Sequence, residues 1–295
     1  MLISSIEGNY QHLDGGSMFG NAPKPLWEKW FPADNLNRIN LACRALLIET
    51  ADSKILLETG VGDFLEPKLA ERYGIAPIGE HSLLENLKKL GVDPQEIDVV
   101  ILSHLHFDHA GGLLPSYSIS RSKEEHGGEL LFPKAKYIVG EEAFKRAVNP
   151  HLRDRASFIE GLQEKLFKSQ RLSFIDKSGL YSQNLLDGRI SFHFTQGHTV
   201  GQMHTLLRGE KQSLFFCGDL IPGIPWVHAP ITMGYDRAAE TMVDEKMIFL
   251  EHAVKEEWIL FYTHDPIYAV SKCAKDDKGK FIATQMQEQL LRYRL

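Results

Sequence analysis

The chain has 295 residues, 43% of them hydrophobic, which is enough to bury a substantial core and excludes a mainly disordered protein. Its net charge of −6 disfavours nucleic acid as a partner, since binding a phosphate backbone requires a basic surface. Cys43, Cys217 and Cys273 are widely spaced and have apolar neighbours, so they predict reduced core thiols and a cytoplasmic location. The sequence has neither a basic-then-apolar start nor a run of about 18 apolar residues, so we expect no export and no membrane partner.

Residues 14–40 have the composition of a loop. Residues 14–20 are glycine-rich, which predicts a turn or loop, and Trp27 and Trp30 follow between prolines. Two interpretations remain open: a loop whose aromatic side chains cover the core, or an apolar lid over a substrate pocket.

The next segments have strand and helix patterns. Residues 41–49 and 54–60 are apolar runs separated by a short polar turn, and they predict a β-hairpin. Leucines recur at helical spacing from Leu83 to Leu90, which predicts a helix that ends before Gly91.

The remaining segments complete the predicted order of elements. Residues 115–131 lack periodicity and predict an exposed loop. Residues 137–139 predict a strand, and the charged sequence over 141–168 is compatible with helix. Residues 285–293 are also compatible with helix and carry a modest apolar stripe that we expect to pack on the core. The chain has no long linker and no internal repeat, so we expect one domain over residues 1–295.

Four potential metal ligands lie close together after an apolar run, Ile97–Leu102, that predicts a buried strand. His104 and His106 are two residues apart, so in an extended chain they point to the same side and can bind one ion. Asp108 and His109 are adjacent and can share an ion only where the chain bends. Imidazole and carboxylate suit zinc-like ions. This stretch of sequence therefore suggests two metal ions.

Three later strand-like runs also end in residues of ligand type. They are residues 190–195 before His198, residues 213–217 before Asp219, and residues 258–262 before His264. Because each residue follows the C-terminal end of its run, we expect all of these side chains to converge on one rim.

These motifs resemble the metallo-β-lactamase superfamily of dinuclear metal hydrolases. The matching pieces, together with the hairpin end Leu57-Glu58-Thr59-Gly60, cover residues 41–266. They are His104-Leu105-His106-Phe107-Asp108-His109, Gly197-His198-Thr199, Gly218-Asp219 and His264. The resemblance implies an α/β fold, namely a four-layer αββα sandwich in which two mixed β-sheets are flanked by helices, with the ions at one edge.

The resemblance also implies a ligand for each position around the ions. The first ion is expected to bind His104, His106 and His198. The second is expected to bind Asp108, His109 and His264. Asp219 is expected to bridge the two ions. The expected cofactors are two divalent metal ions, Zn²⁺ first, with Mn²⁺, Fe²⁺ and Co²⁺ as alternatives.

Within the superfamily, the chain resembles the lactonase and organophosphate-hydrolase branch. Lactamases generally lack a bridging carboxylate at the position of Asp219, and flavin-linked di-iron members usually have a glutamate where His106 stands. Glyoxalase II relatives carry a helical C-terminal region, for which the residues after His264 leave little room.

One position departs from the family pattern. The hairpin usually ends in Asp-Thr-Gly, and the Asp of that motif supports metal-ligating histidines. In this chain Glu58 stands in place of the Asp.

The expected chemistry is hydrolysis by a hydroxide that bridges the two metal ions. The leading hypothesis is attack on a lactone or related ester. Phosphotriester or cyclic phosphodiester hydrolysis at the same site is the main alternative, and a metal-bearing binding module without catalysis is another. Asp108 is a candidate proton shuttle. Tyr235 and His228 follow the bridging Asp219, so they are candidate hydrogen-bond donors to the oxyanion or the leaving group.

Aromatic residues suggest the character of the substrate pocket. They are Trp27, Trp30, Phe31 and Trp226. An aromatic pocket predicts a small-molecule substrate with an apolar portion rather than a nucleotide. The sequence makes no prediction of the oligomeric state.

Overall fold

The computed structural model describes residues 1–118, 129–178 and 185–295. The strands are β1 (Leu2–Glu7), β2 (Gln11–Asp14), β3 (Arg38–Leu41), β4 (Arg44–Glu49), β5 (Lys54–Leu57), β6 (Val99–Leu102), β7 (Lys136–Gly140), β8 (Leu172–Ile175), β9 (Ile190–Thr195), β10 (Gln202–Arg208), β11 (Ser213–Phe216), β12 (Ile259–Phe261), β13 (Val270–Lys275), β14 (Phe281–Gln287) and β15 (Tyr293–Arg294). The α-helices are α1 (Gly15–Phe19), α2 (Lys24–Trp27), α3 (Pro67–Arg72), α4 (Ser82–Lys89), α5 (Phe107–Ala110), α6 (Glu141–Val148), α7 (Leu162–Lys168) and α8 (Ala239–Lys255).

The strands form two large sheets of mixed direction and one small sheet. The first large sheet has the order β15-β1-β4-β5-β6-β7-β8, with parallel pairing from β5 to β8 and antiparallel pairing elsewhere. The second has the order β14-β13-β12-β11-β10-β9, in which only β11 and β12 are parallel. Strands β2 and β3 form the small antiparallel sheet.

The central strands are apolar on both faces because each face meets a different layer. In β6, Val99 and Ile101 pack between the two large sheets, whereas Val100 and Leu102 pack with α4, α6 and α7 on the outside. Successive side chains of a strand point to opposite faces, so one apolar run serves two layers.

The second large sheet repeats this arrangement. In β11, Leu214 and Phe216 pack between the sheets, and Phe215 packs outward in the layer that contains Leu250 of α8. The layers therefore run helix, sheet, sheet, helix. This confirms the predicted four-layer αββα sandwich with two mixed sheets.

The structure corrects the prediction of a loop over residues 14–40. This segment contains α1, α2 and β3, and Trp27 is 1% exposed. Phe19 stacks between Trp27 and Trp226, with ring centroids 5.5 Å and 4.6 Å apart. A Cβ on Gly15 would lie 2.4 Å from the Trp27 ring, so the glycine here permits close packing of a helix rather than a flexible turn.

The helix prediction for residues 285–293 is also wrong. Strand β14 pairs antiparallel with β13 and runs to Gln287, and β15 then pairs with β1 of the other large sheet. Pairing with a neighbouring strand outweighs local helix propensity, as is common for short segments at a sheet edge. Leu290, between the two strands, is buried between the sheets, so the expectation that this segment packs on the core was correct.

Two further predictions concern the loop over residues 115–131 and segments that could span a membrane. The middle of the predicted loop 115–131, residues 119–128, lies outside the described residues. Within residues 1–118, 129–178 and 185–295, none of the helices has the length and apolar character needed to cross a bilayer.

Candidate metal centre

The ligand-type residues after β6 lie where the extended chain becomes helical. His106 has an extended backbone (φ −67°, ψ 154°) and is the N-cap of α5, whose first turn carries Asp108 and His109. The chain therefore bends between the two pairs, as the adjacent Asp108 and His109 require. A Cβ on Gly112 would lie 2.0 Å from the carbonyl oxygen of Thr59, so this glycine lets the bend pack against the end of the β4–β5 hairpin.

Strands of the second sheet bring three more side chains to the same place. His198 follows β9, Asp219 follows β11 and His264 follows β12, and all three are buried. The expected convergence on one rim is observed. Three groups of side chains have potential ligand atoms within 4.8 Å of one another. One joins Glu58 to His104 and His109. The other two match the expected ligand sets: His104, His106, His198 and Asp219; and Asp108, His109 and His264.

The carboxylate of Asp219 lies between these groups. Its Oδ2 is 3.1 Å from Nε2 of His198 and 4.0 Å from Nε2 of His104. Its Oδ1 is 3.1 Å from Nε2 of His264 and 3.2 Å from Nε2 of His109. Each oxygen therefore faces a different pair of imidazoles, which is the geometry required of a bridging carboxylate.

Hydrogen bonds to the outer ring nitrogens fix the tautomers of these histidines. Nδ1 of His109 donates to Oε2 of Glu58 (2.8 Å), and Nδ1 of His264 donates to the carbonyl oxygen of Ala42 (2.7 Å). Nδ1 of His198 donates to Oδ1 of Asp236 (2.9 Å). With Nδ1 as the donor, each ring turns Nε2, which carries a lone pair when the ring is neutral, towards the centre.

These lone pairs face one another at short range. Nε2 of His264 is 3.2 Å from Nε2 of His109, and Nε2 of His198 is 3.2 Å from Nδ1 of His106. Nε2 of His104 is buried without a hydrogen-bond partner. Buried acceptors in such contact are unfavourable unless a cation lies between them, so the donor set fits a divalent metal ion.

The electrostatics of the centre also favour a cation. Burial and the neighbouring imidazole of His109 hold the pKa of His104 well below its usual value, and burial with His198 lowers the pKa of His106 to about 3. Both rings are therefore neutral at pH 7, which is the form that binds metal. Burial disfavours the charged forms of His109, His198 and His264, but the neighbouring carboxylates outweigh it and raise the pKa of all three rings. Burial likewise opposes ionisation of Asp219, but these three imidazoles, when charged, outweigh it and hold the pKa of Asp219 well below the usual range.

Glu58 occupies the position where the family pattern has an aspartate, and its longer side chain reaches two ligand-type histidines. It accepts from His109 directly, and it also accepts a short hydrogen bond from the Ser103 hydroxyl, whose oxygen lies 2.9 Å from Nδ1 of His104. One carboxylate therefore orients a ring in each group.

Replacing Glu58 by glutamine is expected to lower metal affinity about 10- to 100-fold, because an amide nitrogen cannot accept one of these two hydrogen bonds. Competition with a chromophoric chelator measures the affinity. Glu96→Gln is the matched control, since Glu96 is an exposed glutamate that accepts from the backbone of Asp93 far from the centre. Equal affinities for Glu58→Gln and wild type would refute the assigned role.

Two contacts to the centre were not predicted from the sequence. Asp236 orients His198 and also accepts from the backbone of Met233 (2.7 Å). Gln11 of β2 is wholly buried, and its Nε2 donates to Oδ2 of Asp108 (2.6 Å). Both come from segments distant in sequence, and no spacing rule relates them to the histidines.

The loop that carries Asp236 rests on a buried lysine. Lys246 of α8 is 1% exposed, and its Nζ donates to the carbonyl oxygens of Trp226 (3.1 Å) and Ile231. Burial lowers the pKa of Lys246 from its usual 10.5 to about 7.

Lys246 is expected to make the free energy of unfolding depend on pH in the alkaline range. Between pH 7 and 10 the unfolded chain binds more protons at this lysine than the folded chain does, so the free energy of unfolding rises with pH. Lys246→Met removes this contribution, so its stability relative to wild type should fall as pH rises. Urea titrations at pH 7 and pH 9.5 measure the effect, with the exposed Lys255→Met as control; a constant difference would contradict the prediction.

A cavity of about 240 Å³ opens over the centre. Asp108, Asp219 and His264 lie at its base, and Tyr235 stands on its wall. Besides His106, His198 and Gly234, the cavity is lined by apolar and by polar residues: Leu13, Met18, Tyr73, Phe107, Ala156 and Met233; and Gln11, Arg153, Asp154 and Ser157.

Two expectations about the pocket are corrected. His228 does not line this cavity; it lines a separate groove with Trp30 and Phe31, because the single helical turn Ile224–Val227 carries the chain away from the centre. Trp27 and Trp226 belong to the core, so none of the four predicted aromatic residues lines the cavity.

A centre of buried imidazoles and carboxylates, at the strand ends of an αββα sandwich and beneath an open cavity, defines a metal-dependent hydrolase. The chain belongs to the metallo-β-lactamase superfamily, whose family model matches residues 39–264.

Curated relatives and solved structures agree with the lactonase branch. An N-acyl homoserine lactonase of Bacillus cereus is 25% identical over 219 residues, covering 62% of this chain and 84% of the relative. The N-acyl homoserine lactonase AiiB of Agrobacterium fabrum is 27% identical over 198 residues, covering 62% of this chain and 64% of the relative.

Solved structures show the same fold along nearly the whole chain. A probable metal-dependent hydrolase from Staphylococcus aureus has a TM-score of 0.83 at 24% identity, covering 98% of both chains. The dizinc quorum-quenching lactonase AidC, solved with a product, has a TM-score of 0.73 at 22% identity, covering 95% of this chain and 92% of AidC.

Proposed function

We propose that the centre holds two divalent ions, with zinc as the first choice and manganese, iron or cobalt as alternatives. Each ion takes three ligands of its own and shares Asp219: His104, His106 and His198 for one, and Asp108, His109 and His264 for the other. The position of the two Asp219 oxygens, one towards each group, supports this assignment. When bound, two such ions lower the pKa of a shared water to about 7 and stabilise negative charge that develops on oxygen.

We infer that the substrate is a lactone of the N-acyl homoserine lactone kind. The observation that carries this inference is the cavity, whose lining includes the reactive centre and both apolar and polar side chains. The apolar side chains suit an acyl chain, and the polar ones suit an amide and a lactone ring. A relative that bears the N-acyl homoserine lactonase name matches 62% of this chain.

Two side chains of the cavity have proposed roles in ring opening. The carbonyl carbon gains an oxygen from water, the ring carbon–oxygen bond breaks, and the departing alkoxide takes a proton. Asp108 lies at the base of the cavity, where Gln11 holds its Oδ2, and we assign it the transfer of that proton. Tyr235 is 43% exposed at the wall, and its hydroxyl can donate to the oxyanion.

Replacing Tyr235 by phenylalanine is expected to lower kcat about tenfold or more and to change KM much less, because a donor to the oxyanion acts mainly in the transition state. Steady-state kinetics on a lactone measure both constants. Tyr293→Phe serves as control, since the hydroxyl of Tyr293 in β15 accepts from Nε2 of Gln212 in the β10–β11 turn, away from the centre. A changed KM at constant kcat would instead make Tyr235 a residue of ground-state binding.

The substrate proposal is tested on metal-reconstituted protein with matched panels. N-acyl homoserine lactones of short and long chain are compared with an unsubstituted lactone, an aryl ester, an aryl phosphotriester and a cyclic phosphodiester. We expect kcat/KM for the acylated lactones to exceed that for the phosphoesters by about two orders of magnitude, or about 3 kcal/mol. Faster phosphoester cleavage would favour the alternative hydrolase, and inactivity with both ions bound would favour a binding module.

A further inference from the structure

Arg44, the first residue of β4, is a charged side chain enclosed by the protein. It is 2% exposed, and its guanidinium lies against the segment from Tyr262 to Tyr268, which belongs to the other large sheet. Nη1 donates to the carbonyl oxygens of Tyr262 (2.9 Å) and Tyr268 (3.4 Å), and Nη2 donates to that of Asp265 (3.0 Å). The guanidinium therefore bonds to the backbone of one loop at three points.

The loop clamped by Arg44 carries His264. Its ring bonds through Nδ1 to the carbonyl oxygen of Ala42 (2.7 Å), and its own carbonyl oxygen accepts from the backbone nitrogen of Ala42 (3.2 Å). The backbone nitrogen of Arg44 donates to the carbonyl oxygen of Thr263 (3.0 Å). Residues 42–44 therefore fix both the loop and the orientation of the imidazole.

The remaining donor of this guanidinium supports its charge. Nε of Arg44 forms an ion pair with Glu7 on the adjacent strand β1, and the Glu7 side chain is 31% exposed. Burying an arginine is unfavourable unless its charge is paired and its donors are satisfied. Here Glu7 pairs the charge while the carbonyl oxygens use three of the other four N–H donors, so removal of Arg44 would leave buried carbonyl groups without partners.

We propose that Arg44 is a positioning residue for His264, acting through the Tyr262–Tyr268 loop. It holds the loop where Nε2 of His264 lies 3.1 Å from Oδ1 of Asp219 and 3.2 Å from Nε2 of His109. The inference rests on the proposed function, in which His264 binds the second ion. Loss of Arg44 therefore lowers the affinity for the second ion selectively. The affinity for the first ion is unchanged, because none of its ligands lies in this loop.

The test measures metal content and affinity rather than turnover. Arg44→Met, Arg44→Lys and wild type are loaded with Zn²⁺ or Co²⁺ and dialysed, and bound metal is counted by elemental analysis. Competition with a chromophoric chelator then gives a Kd for each site. We expect wild type to retain two ions and Arg44→Met to retain one, with the second Kd raised about 10- to 100-fold. Arg44→Lys keeps the charge but not the three-point contact, so its Kd should be intermediate.

A second arginine offers a matched control. Arg171 also uses its guanidinium to bond backbone carbonyl oxygens, those of Phe132 and Ala135 (both 2.8 Å), on the outer face of the first sheet. Arg171→Met should lose stability yet keep both ions. If Arg171→Met loses the second ion equally, or if Arg44→Met keeps two ions at the wild-type Kd, the inference is overturned.

Two more variants separate this inference from the proposed function and guard against misfolding. If wild type binds fewer than two ions, or His264→Ala retains the second one, the assignment of the centre itself fails. If His264→Ala loses the second ion and Arg44→Met does not, only the role of Arg44 fails. Should Arg44→Met not fold, Glu7→Gln removes the paired charge alone and is expected to raise the second Kd severalfold, and an unchanged Kd would refute the proposal.

Discussion

Replacing Asp219 by alanine is expected to lower turnover by about three orders of magnitude or more and to leave fewer than two ions bound. Its two oxygens each lie 3.1 Å from an imidazole of a different group, so no other side chain can substitute for it. Without the bridge, the two ions would repel one another, and the charge that favours their binding would be lost. Steady-state kinetics and elemental analysis of the same sample measure both effects.

The control for this variant is Asp98→Ala. Asp98 precedes β6 at the end opposite the centre, where its carboxylate accepts from the backbone of Lys54 (2.8 Å). This control should retain two ions and wild-type turnover. The prediction is contradicted if Asp219→Ala binds both ions and keeps more than about a tenth of wild-type activity. The bridging carboxylate would then not be needed for a preorganised charged site.

Removal of metal by a strong chelator should abolish hydrolysis and lower thermal stability. The buried imidazoles and carboxylates are held in contact, and their lone pairs and negative charges would remain uncompensated without cations. Ligand linkage predicts a stabilisation of about 4 kcal/mol when free metal exceeds its Kd a thousandfold. Tm of the chelated and reloaded protein, followed together with its hydrolytic activity, measures the change.

Reconstitution provides the control for chelation. Adding Zn²⁺, Mn²⁺ or Co²⁺ separately should restore Tm and activity, because the same ligands accept several divalent ions. The turnover rate is expected to differ from one metal to another. Ca²⁺, which prefers oxygen ligands, should restore neither. Full activity in a sample shown by elemental analysis to be free of metal would contradict a metal-dependent reaction.

The parts of the centre that follow local rules could be predicted from the sequence. His104 and His106 share a face because strand periodicity is two, and the need for a bend before Asp108 and His109 follows from their adjacency. The apolar runs also predicted the central strands, since a strand covered on both faces is apolar at every position.

What escaped prediction depends on contacts between distant segments. Asp236 reaches His198 from 38 positions away and Gln11 reaches Asp108 from 97 positions away, and no spacing rule connects them to their partners. The cavity walls were also mispredicted, because tryptophans that suggested a pocket instead stack on Phe19 in the core. His228 was assigned by its nearness to Asp219 in sequence, and a helical turn separates the two in space.

The split of the proposed ligands between the two large sheets bears on assembly. In the proposed assignment, each ion would take two ligands from the segment after β6 in the first sheet and one from a strand end of the second, with Asp219 from the second as well. Apart from β15, residues up to 175 build the first sheet and residues from 190 build the second. Neither half of the polypeptide can complete a coordination sphere alone, so cation uptake reports that the halves have docked.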